Sequence, residues 1–560
     1  MRYRKRSPDV FESVSHHLSR PGLGLVLFVV TAIGGVLVAY DPPLTWPILM
    51  VLLGSITIFL LIATAPIEPR FIARGLVLAG CLLALYFIGQ FGHFGYQEAT
   101  GIFGRLGQLT GSLLPRLGRF APHPNAVAGF LEGVWLVNLA LIWRERHAKP
   151  WIWGLTAAIM AYALLISGSR GAWIGLAVAL GIWLLLHFRN RVPPAVQAGI
   201  GLAIGLLLGF YLVSYFVLPG QNSLFLNSIF TNADARYSLY QNSLSLIRDY
   251  PFTGIGPGGT FAMVYSRYQL FHHVPYLYYA HNIFLSVGLG QGILGIVALV
   301  WLFVDFYRYV FRVESVGLSP RSLPIFRAAW LGTTASLVHG LVDSVQFSPD
   351  YWTMLMLFAL AGLSVLSGRP AWQDGERAQA GGRPLRKGWI WLAVMTVVVL
   401  VAAAIFWRPI SVAWYTNWGA VYQTRAELSP RLTELEREVA TARAVSNFER
   451  ALSLDPSHAG ANRRLGLLAL DRRDYASAIV FLGRAYAEEP HNQATLKTLG
   501  YAYLWAGQTD LAQKLFQQVE LQSLLVAELE YWQWWYGEQD QEQLSVYAAE
   551  MVRRLAAVGE

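Results

Sequence analysis

Three side chains stand where polar groups are costly and where their types could do chemistry: Arg170, Arg236 and His281. Arg170 lies in a turn of small residues, Ser167-Gly168-Ser169-Arg170-Gly171, between two apolar runs. Arg236 lies in the long polar stretch from Pro219 to Ala280, and His281 opens the next apolar run within Tyr278-Tyr279-Ala280-His281-Asn282. A guanidinium is planar and always charged, so an arginine at such a boundary can grip a diphosphate through two parallel hydrogen bonds, which lysine does less well. The plainer role is snorkelling to lipid phosphates, and residue type alone leaves both open. A boundary histidine can be a helix-end donor, or its neutral imidazole can serve as general base or orient an acceptor hydroxyl.

Other polar groups could support these. Glu132 falls about two turns into an apolar run, where an ionisable residue is functional by default. His339 and Asp343 are spaced i, i+4 near the end of another run and could pair, or could be polar contacts between helices. Asn282 directly follows His281. The run Gly254-Ile255-Gly256-Pro257-Gly258-Gly259 matches a dinucleotide-binding pattern, but no strand precedes it and no crossover follows, so a tight positioning turn is expected and no cofactor. His272, His273 and His281 lack an acidic or cysteine partner nearby in sequence to complete a zinc set. Asp-x-Asp is absent from the chain, which argues against a transferase that holds a diphosphate through a divalent cation.

These residues must be positioned by membrane helices. Of 560 residues, 55% are hydrophobic and 14% charged, and the mean hydropathy is +0.41, which is the composition of a polytopic membrane protein. Apolar runs able to cross a core of about 30 Å lie near 22–40, 45–65, 71–91, 126–143, 151–167, 171–187, 195–217, 281–306, 326–343, 351–367 and 388–407. That is about eleven spans, the first acting as its own export signal without cleavage. With the N-terminus inside, Lys and Arg before the last span divide about three to one in favour of the inside loops. The net charge of +9 therefore sets topology and does not indicate nucleic acid. The stretch 218–280 then faces out, and after an odd number of spans so does everything beyond 410. Cys81 sits in an apolar run, so neither a disulfide nor a cysteine metal site is available.

Within the outer stretch, Arg236, Tyr240, Leu244 and Ile247 share a face of a helix expected over 234–250 and ended by Pro251, which could lie in the membrane interface and aim Arg236 at a head group. Beyond 410 the composition becomes soluble. Leu465-Gly466 recurs as Leu499-Gly500, Ala478 as Ala512, Phe481-Leu482 as Leu515-Phe516 and Pro456 as Pro490, at about 34 residues. Phe448 and Ala451 fit the second helix of an earlier repeat whose first helix lies near Asn417-Trp418-Gly419-Ala420, with Leu428 to Ala440 inserted. The spacing resembles tetratricopeptide repeats, whose concave face could hold an acceptor glycan or a partner protein; a stabilising cap is the plainer role. The fold expected is all-α: a polytopic membrane helix bundle followed by an extracytoplasmic α-helical repeat domain. Its divisions are 1–21, a cytoplasmic segment; 22–410, the membrane domain; and 411–560, the repeats, expected to be separable from the chemistry.

Several motifs in order resemble the O-antigen ligase and O-antigen polymerase superfamily. They are His123-Pro124-Asn125 before a span, the Ser167 to Gly171 turn, the Arg236 helix, Tyr250-Pro251-Phe252-Thr253-Gly254-Ile255-Gly256, Ala280-His281-Asn282-Ile283-Phe284-Leu285 and Gly292-Ile293-Leu294-Gly295. They cover roughly residues 120–300. The resemblance implies a bacterial inner-membrane glycosyltransferase, metal-independent and inverting. It would move a glycan from undecaprenyl diphosphate to an acceptor at the outer face. It further implies that Arg170 and Arg236 engage the donor diphosphate and that His281 handles the acceptor. Acceptors in this class are lipid A core, a growing polymer or, for an O-linked oligosaccharyltransferase, protein. The family often has a twelfth span, whereas here repeats follow the eleventh. A transporter or exporter component without catalysis is the rival class, although no paired broken spans are seen in two halves; a non-catalytic scaffold leaves the arginines and His281 unexplained.

Overall fold

The computed structural model describes residues 21–93, 102–116, 118–147, 150–188, 193, 196, 233–272, 274–275, 277–347, 352–379, 397, 401, 404–520 and 522–557. Every regular element among them is helical. The membrane part comprises α1 (Pro21–Val38), α2 (Trp46–Thr64), α3 (Pro69–Phe91), a short α4 (Ile102–Ser112), α5 (Pro124–Arg144), α6 (Pro150–Ser167) and α7 (Arg170–Phe188). The loop contributes α8 (Ala233–Asp249) and α9 (Thr260–Tyr265), which runs on as a wider turn to Leu270. The long α10 (Ile283–Val316), α11 (Leu323–Val342) and α12 (Trp352–Gln379) return to the bundle. Seven helices among the described residues, α2, α3, α5, α6, α7, α10 and α12, are long and apolar enough to cross a membrane, and α1 is a shorter apolar helix. The protein is a multi-pass membrane protein. Of the other expected spans, 326–343 is α11, while nearly all of 195–217 and most of 388–407 lie outside the described residues.

Local sequence sets the helix starts. Proline stands in the first turn of α2, α3, α5 and α11, where its missing N–H goes unneeded. Asn282 caps α10, its side-chain oxygen accepting from the N–H groups of Phe284 at 2.9 Å and Leu285 at 3.2 Å. α11 runs through the middle of the bundle and is buried along almost its whole length. Protein surrounds it, so it can carry Thr333, Thr334, Ser336 and His339 at a depth where lipid-facing polar groups would be costly. At one end of the bundle Arg74 pairs with Glu145 at 2.7 Å and Arg327 with Glu314 at 2.7 Å. The loop and its candidate residues occupy the opposite end.

The glycine run is a turn, as expected, and its place is set by a break in α10. Gly254, Gly256 and Gly258 have φ of +64°, +94° and +84°, and Gly292 in α10 has φ +72°, a region where side chains are strained. The Ile255 N–H donates to the Leu289 carbonyl at 2.6 Å, and the Ile293 N–H freed by the break donates to Pro251 at 2.8 Å. A Cβ on Gly292 would meet the Phe252 carbonyl at 2.7 Å. The two glycine motifs are the two sides of one contact.

The C-terminal helices pair as α13 (Trp407–Leu428) with α14 (Glu434–Leu454), α15 (Ala459–Asp471) with α16 (Tyr475–Glu488), α17 (Gln493–Trp505) with α18 (Thr509–Phe516), and α19 (Gln522–Glu538) with α20 (Glu542–Ala556). A glycine in the first helix faces a large apolar side chain in the second in three pairs: Gly419 with Phe448, Gly466 with Leu482 and Gly500 with Phe516. The spacing is 29 residues in the first pair and 16 in the other two. The expected insertion between 428 and 440 forms the connection 429–433 and the first turns of α14.

In α15 residues 461–470 are all buried, and in α17 nearly all of 494–505 are, whereas α16 and α18 bury only three residues each. The first helices are covered on both sides because the chain's own loop fills their inner face. Tyr240, Leu246, Tyr250, Phe261, Tyr265 and Tyr268 share one apolar core with Val412, Ala420, Phe448, Leu465 and Leu468. Along α13, α14 and α15 the loop itself therefore packs on the repeats, in one shared core.

Candidate active site

The last turn of α11 is where the candidate residues meet. His339, Val342 and Asp343 lie on that turn, and each holds a different segment.

His339 holds the Arg170 turn. Its ring is fully buried, with Nδ1 3.3 Å from Glu132 Oε1 on α5 and Nε2 3.4 Å from the Ser169 hydroxyl. The turn is shaped by Ser167, whose hydroxyl donates to the Leu164 carbonyl at 2.7 Å, and by Gly168 at φ +64°. A Cβ on Gly171 would come within 2.4 Å of His339 Cδ2, and one on Gly175 within 2.5 Å of the Ala335 carbonyl oxygen. Small residues at both positions let α7 begin hard against α11. Arg170, first residue of α7, is left exposed beside the histidine.

Arg236, near the start of α8, donates through Nη1 to the carbonyl of Val342. One turn further along α8, the Tyr240 hydroxyl donates to the His281 carbonyl at 3.0 Å. His281 has φ +52°, a left-handed backbone in a non-glycine residue that costs on the order of 1–3 kcal/mol and is held here by its neighbours. The ring of Tyr279 packs on its imidazole at 4.1 Å, and Asn282 donates to the Leu341 carbonyl at 2.9 Å.

Asp343 orients the imidazole. His281 Nδ1 lies 2.9 Å from Asp343 Oδ1, and Asn125 Nδ2 donates to the other carboxylate oxygen at 2.9 Å. A carboxylate accepts only, so the proton of neutral His281 sits on Nδ1 and the lone pair on Nε2. That is the tautomer a general base needs. At one helix end the site thus gathers the Arg236 guanidinium, an oriented imidazole and the exposed turn that carries Arg170.

The structure brings together Arg170, Arg236, His281, Asn282, Glu132, His339 and Asp343. Of the two alternatives for His339 and Asp343, the side chains make polar contacts between helices and do not pair with each other: Glu132 and Ser169 take the first, and His281 and Asn125 take the second. Four residues apart at a helix end, they face different neighbours. The helix α8 packs between α10 and the repeats. His272 meets Glu528 of the repeats and His281 meets Asp343, so separate carboxylates take them; His273 is outside the described residues. Asn125, Ser169 and Tyr240 were not singled out for the site. The first two stand inside the quoted motifs, but nothing local pointed to Asp343 or His339 as their partners.

The repeats hold the loop through charge as well as apolar contact. Asp249, at the end of α8, is buried and accepts from Arg463 at 2.9 Å and from Arg464 at 2.8 and 3.0 Å. Burial pushes the Asp249 carboxyl up, but the two guanidiniums outweigh it and hold the carboxyl below its usual range. Arg464 also lies 3.7 Å over the Tyr268 ring. Asn417 accepts from the N–H groups of Phe252 at 3.1 Å and Thr253 at 3.3 Å, Arg267 donates to Glu427 at 2.8 Å, and Lys497 donates to the Leu270 carbonyl at 2.7 Å.

Residues 155–300 match a family model described as O-antigen ligase, and residues 469–524 match one described as tetratricopeptide repeat. No curated protein matches the chain. The chain therefore carries an O-antigen ligase family segment, which contains Arg170, Arg236 and His281, followed by C-terminal tetratricopeptide repeats.

Proposed function

We propose that this O-antigen ligase family chain transfers a glycan from undecaprenyl diphosphate to an acceptor hydroxyl at the extracytoplasmic face of a bacterial inner membrane, with inversion and without a metal. The observation that carries the reading is the convergence of the turn that carries Arg170, of Arg236 and of an Asp343-oriented His281 on one turn of α11. The acceptor oxygen attacks the anomeric carbon while His281 Nε2 takes the hydroxyl proton. The bond from that carbon to the diphosphate oxygen breaks on the opposite side. Charge grows on the leaving diphosphate, and two fixed guanidiniums meet it without rearrangement. The arginine-rich opposite end of the bundle supports placing the site outside.

The repeats enter this reading as a brace. They hold α8 at Asp249, and α8 in turn carries Arg236 and fixes the His281 backbone through Tyr240.

The test is reconstitution with an undecaprenyl-diphosphate-linked oligosaccharide and a candidate acceptor. New glycoside of inverted configuration and released undecaprenyl diphosphate are expected. A reporter fused near residue 450 should read as extracytoplasmic. Retained configuration in the product, or a cytoplasmic reporter signal, would remove the mechanism or the orientation respectively.

A further inference from the structure

The groove along the first helices of the repeats is filled by the chain's own loop only as far as α19. There His272 meets Glu528, which also takes Lys497 at 2.6 Å and Tyr501 at 3.0 Å. The same side of α19 continues at i+3, i+4 and i+7 with Tyr531, Trp532 and Trp535. Trp532 leans on Tyr536 at 5.6 Å, while Tyr531, Trp534 and Trp535 are 50%, 57% and 38% exposed. Their rings already touch: Tyr531 and Trp535 are 6.3 Å apart and 16° from parallel, and Trp534 packs against both. Such a patch of large rings on a soluble surface marks an interaction site.

Charge selects the occupant. Between Lys514 and Arg553 the chain has no Lys or Arg, and the same stretch of sequence as the rings carries Glu530, Glu538, Asp540 and Glu542 with Gln533, Gln539 and Gln541. An anionic lipid surface is repelled by such a face. A sugar chain suits it: the ring C–H faces lie on the negative π-faces, and the hydroxyls donate to carboxylates and amides. Side chains with two rotatable bonds lose little freedom on binding.

We propose that Tyr531, Trp534 and Trp535 form a platform for a sugar chain, continuing the groove that the loop fills elsewhere. The start of α19 is tied to the site, because the Ser238 hydroxyl, two residues past Arg236, donates to Glu520. Trp535 is thirteen residues beyond Gln522, about 20 Å along the helix. The platform therefore meets sugars several units from the bond being made. The assignment rests on the glycan-transfer reading, and its test measures binding alone.

The full chain in uncharged micelles is titrated calorimetrically with chitohexaose and with maltoheptaose. Saturable binding of at least one is expected, weakened about tenfold or more in Trp534→Ala and in Trp535→Ala and unchanged in Val480→Ala, an exposed site on α16. Far-ultraviolet circular dichroism and melting temperature of the variants should match the parent. Binding of neither sugar at millimolar concentration, or equal binding by the double tryptophan variant, overturns the proposal. So does a shift of the parent from dimer to monomer in that variant, which would give the face to a second copy. Loss of the parent's binding in phosphatidylglycerol nanodiscs would give it to lipid. Sugar binding without transfer from any lipid-linked donor would defeat the catalytic reading and leave the platform standing.

Discussion

His281 and Asp343, 62 residues apart in sequence, stand 2.9 Å apart at the C-terminal end of α11, and Asn125 closes the other side of the same carboxylate. The pair fixes which imidazole nitrogen carries the proton when His281 is neutral. His281→Ala should lower the single-turnover rate by about 10²–10⁴-fold while binding of the lipid-linked donor stays near the parent's value. Asp343→Asn puts an amide where an anion stabilised the imidazolium, so it should lower the same rate. Adding it to His281→Ala should then lower the rate little further, because the two act as one unit. Independent, additive losses would separate the two residues.

The arginines should fail in a different way. Arg170→Ala and Arg236→Ala are each expected to abolish detectable transfer in a protein that still inserts, with lysine restoring little because it lacks the planar fork. With two guanidiniums carrying the diphosphate charge, transfer should persist in EDTA. Activity lost to EDTA and recovered with Mg²⁺ or Mn²⁺ would show that a cation does this work.

Gly171 offers a test of how the Arg170 turn is seated. Its missing Cβ lies 2.4 Å from His339 Cδ2, so Gly171→Ala must push the turn off the histidine. Transfer should fall nearly as far as in Arg170→Ala. Gly154→Ala, on α6 with open space around it, serves as the matched control and should be silent.

Asp249 is the charge on which the brace depends. Asp249→Ala leaves the buried Arg464 without a carboxylate and Arg463 with only Glu489 at 3.7 Å, and should cost about 3–5 kcal/mol, read from chemical unfolding followed by a probe on the loop. Replacing Asp249, Arg463 and Arg464 together by leucine or methionine should recover most of that loss. The pH dependence has a defined sign. A carboxyl depressed in the folded state contributes stability that is complete above its unfolded value of about 4 and lost as pH falls through the folded value. The loop should therefore stay docked at pH 5 and release only in stronger acid, and release between pH 6 and 5 would mean another group controls it.

Truncation should do more than remove a recognition module. A chain stopped after residue 425 lacks Arg463, Arg464 and the Phe448 that fills the core shared with the loop. It is expected to insert but to lose donor binding along with transfer. Normal donor binding in that chain would make the brace dispensable.

The sequence by itself determined the helices and their broad use. Apolar runs mark the helices of the bundle, the 34-residue recurrence marks the repeat, and Pro251 and the glycines mark where α8 stops and where the chain turns, because these depend on neighbours along the chain. It also nominated Arg170, Arg236 and His281, since a charged group at an apolar boundary is costly in any fold. Tertiary structure alone decided the partners. The i, i+4 spacing of His339 and Asp343 suggested a pair, yet Glu132 lies 207 residues from one and His281 62 residues from the other, distances no local period encodes. The same holds for the groove. Repeat spacing announces an inner face, but only the assembled chain shows that the loop's own tyrosines and Asp249 fill it, because burial of apolar surface and pairing of a buried charge are settled by whatever the fold brings close.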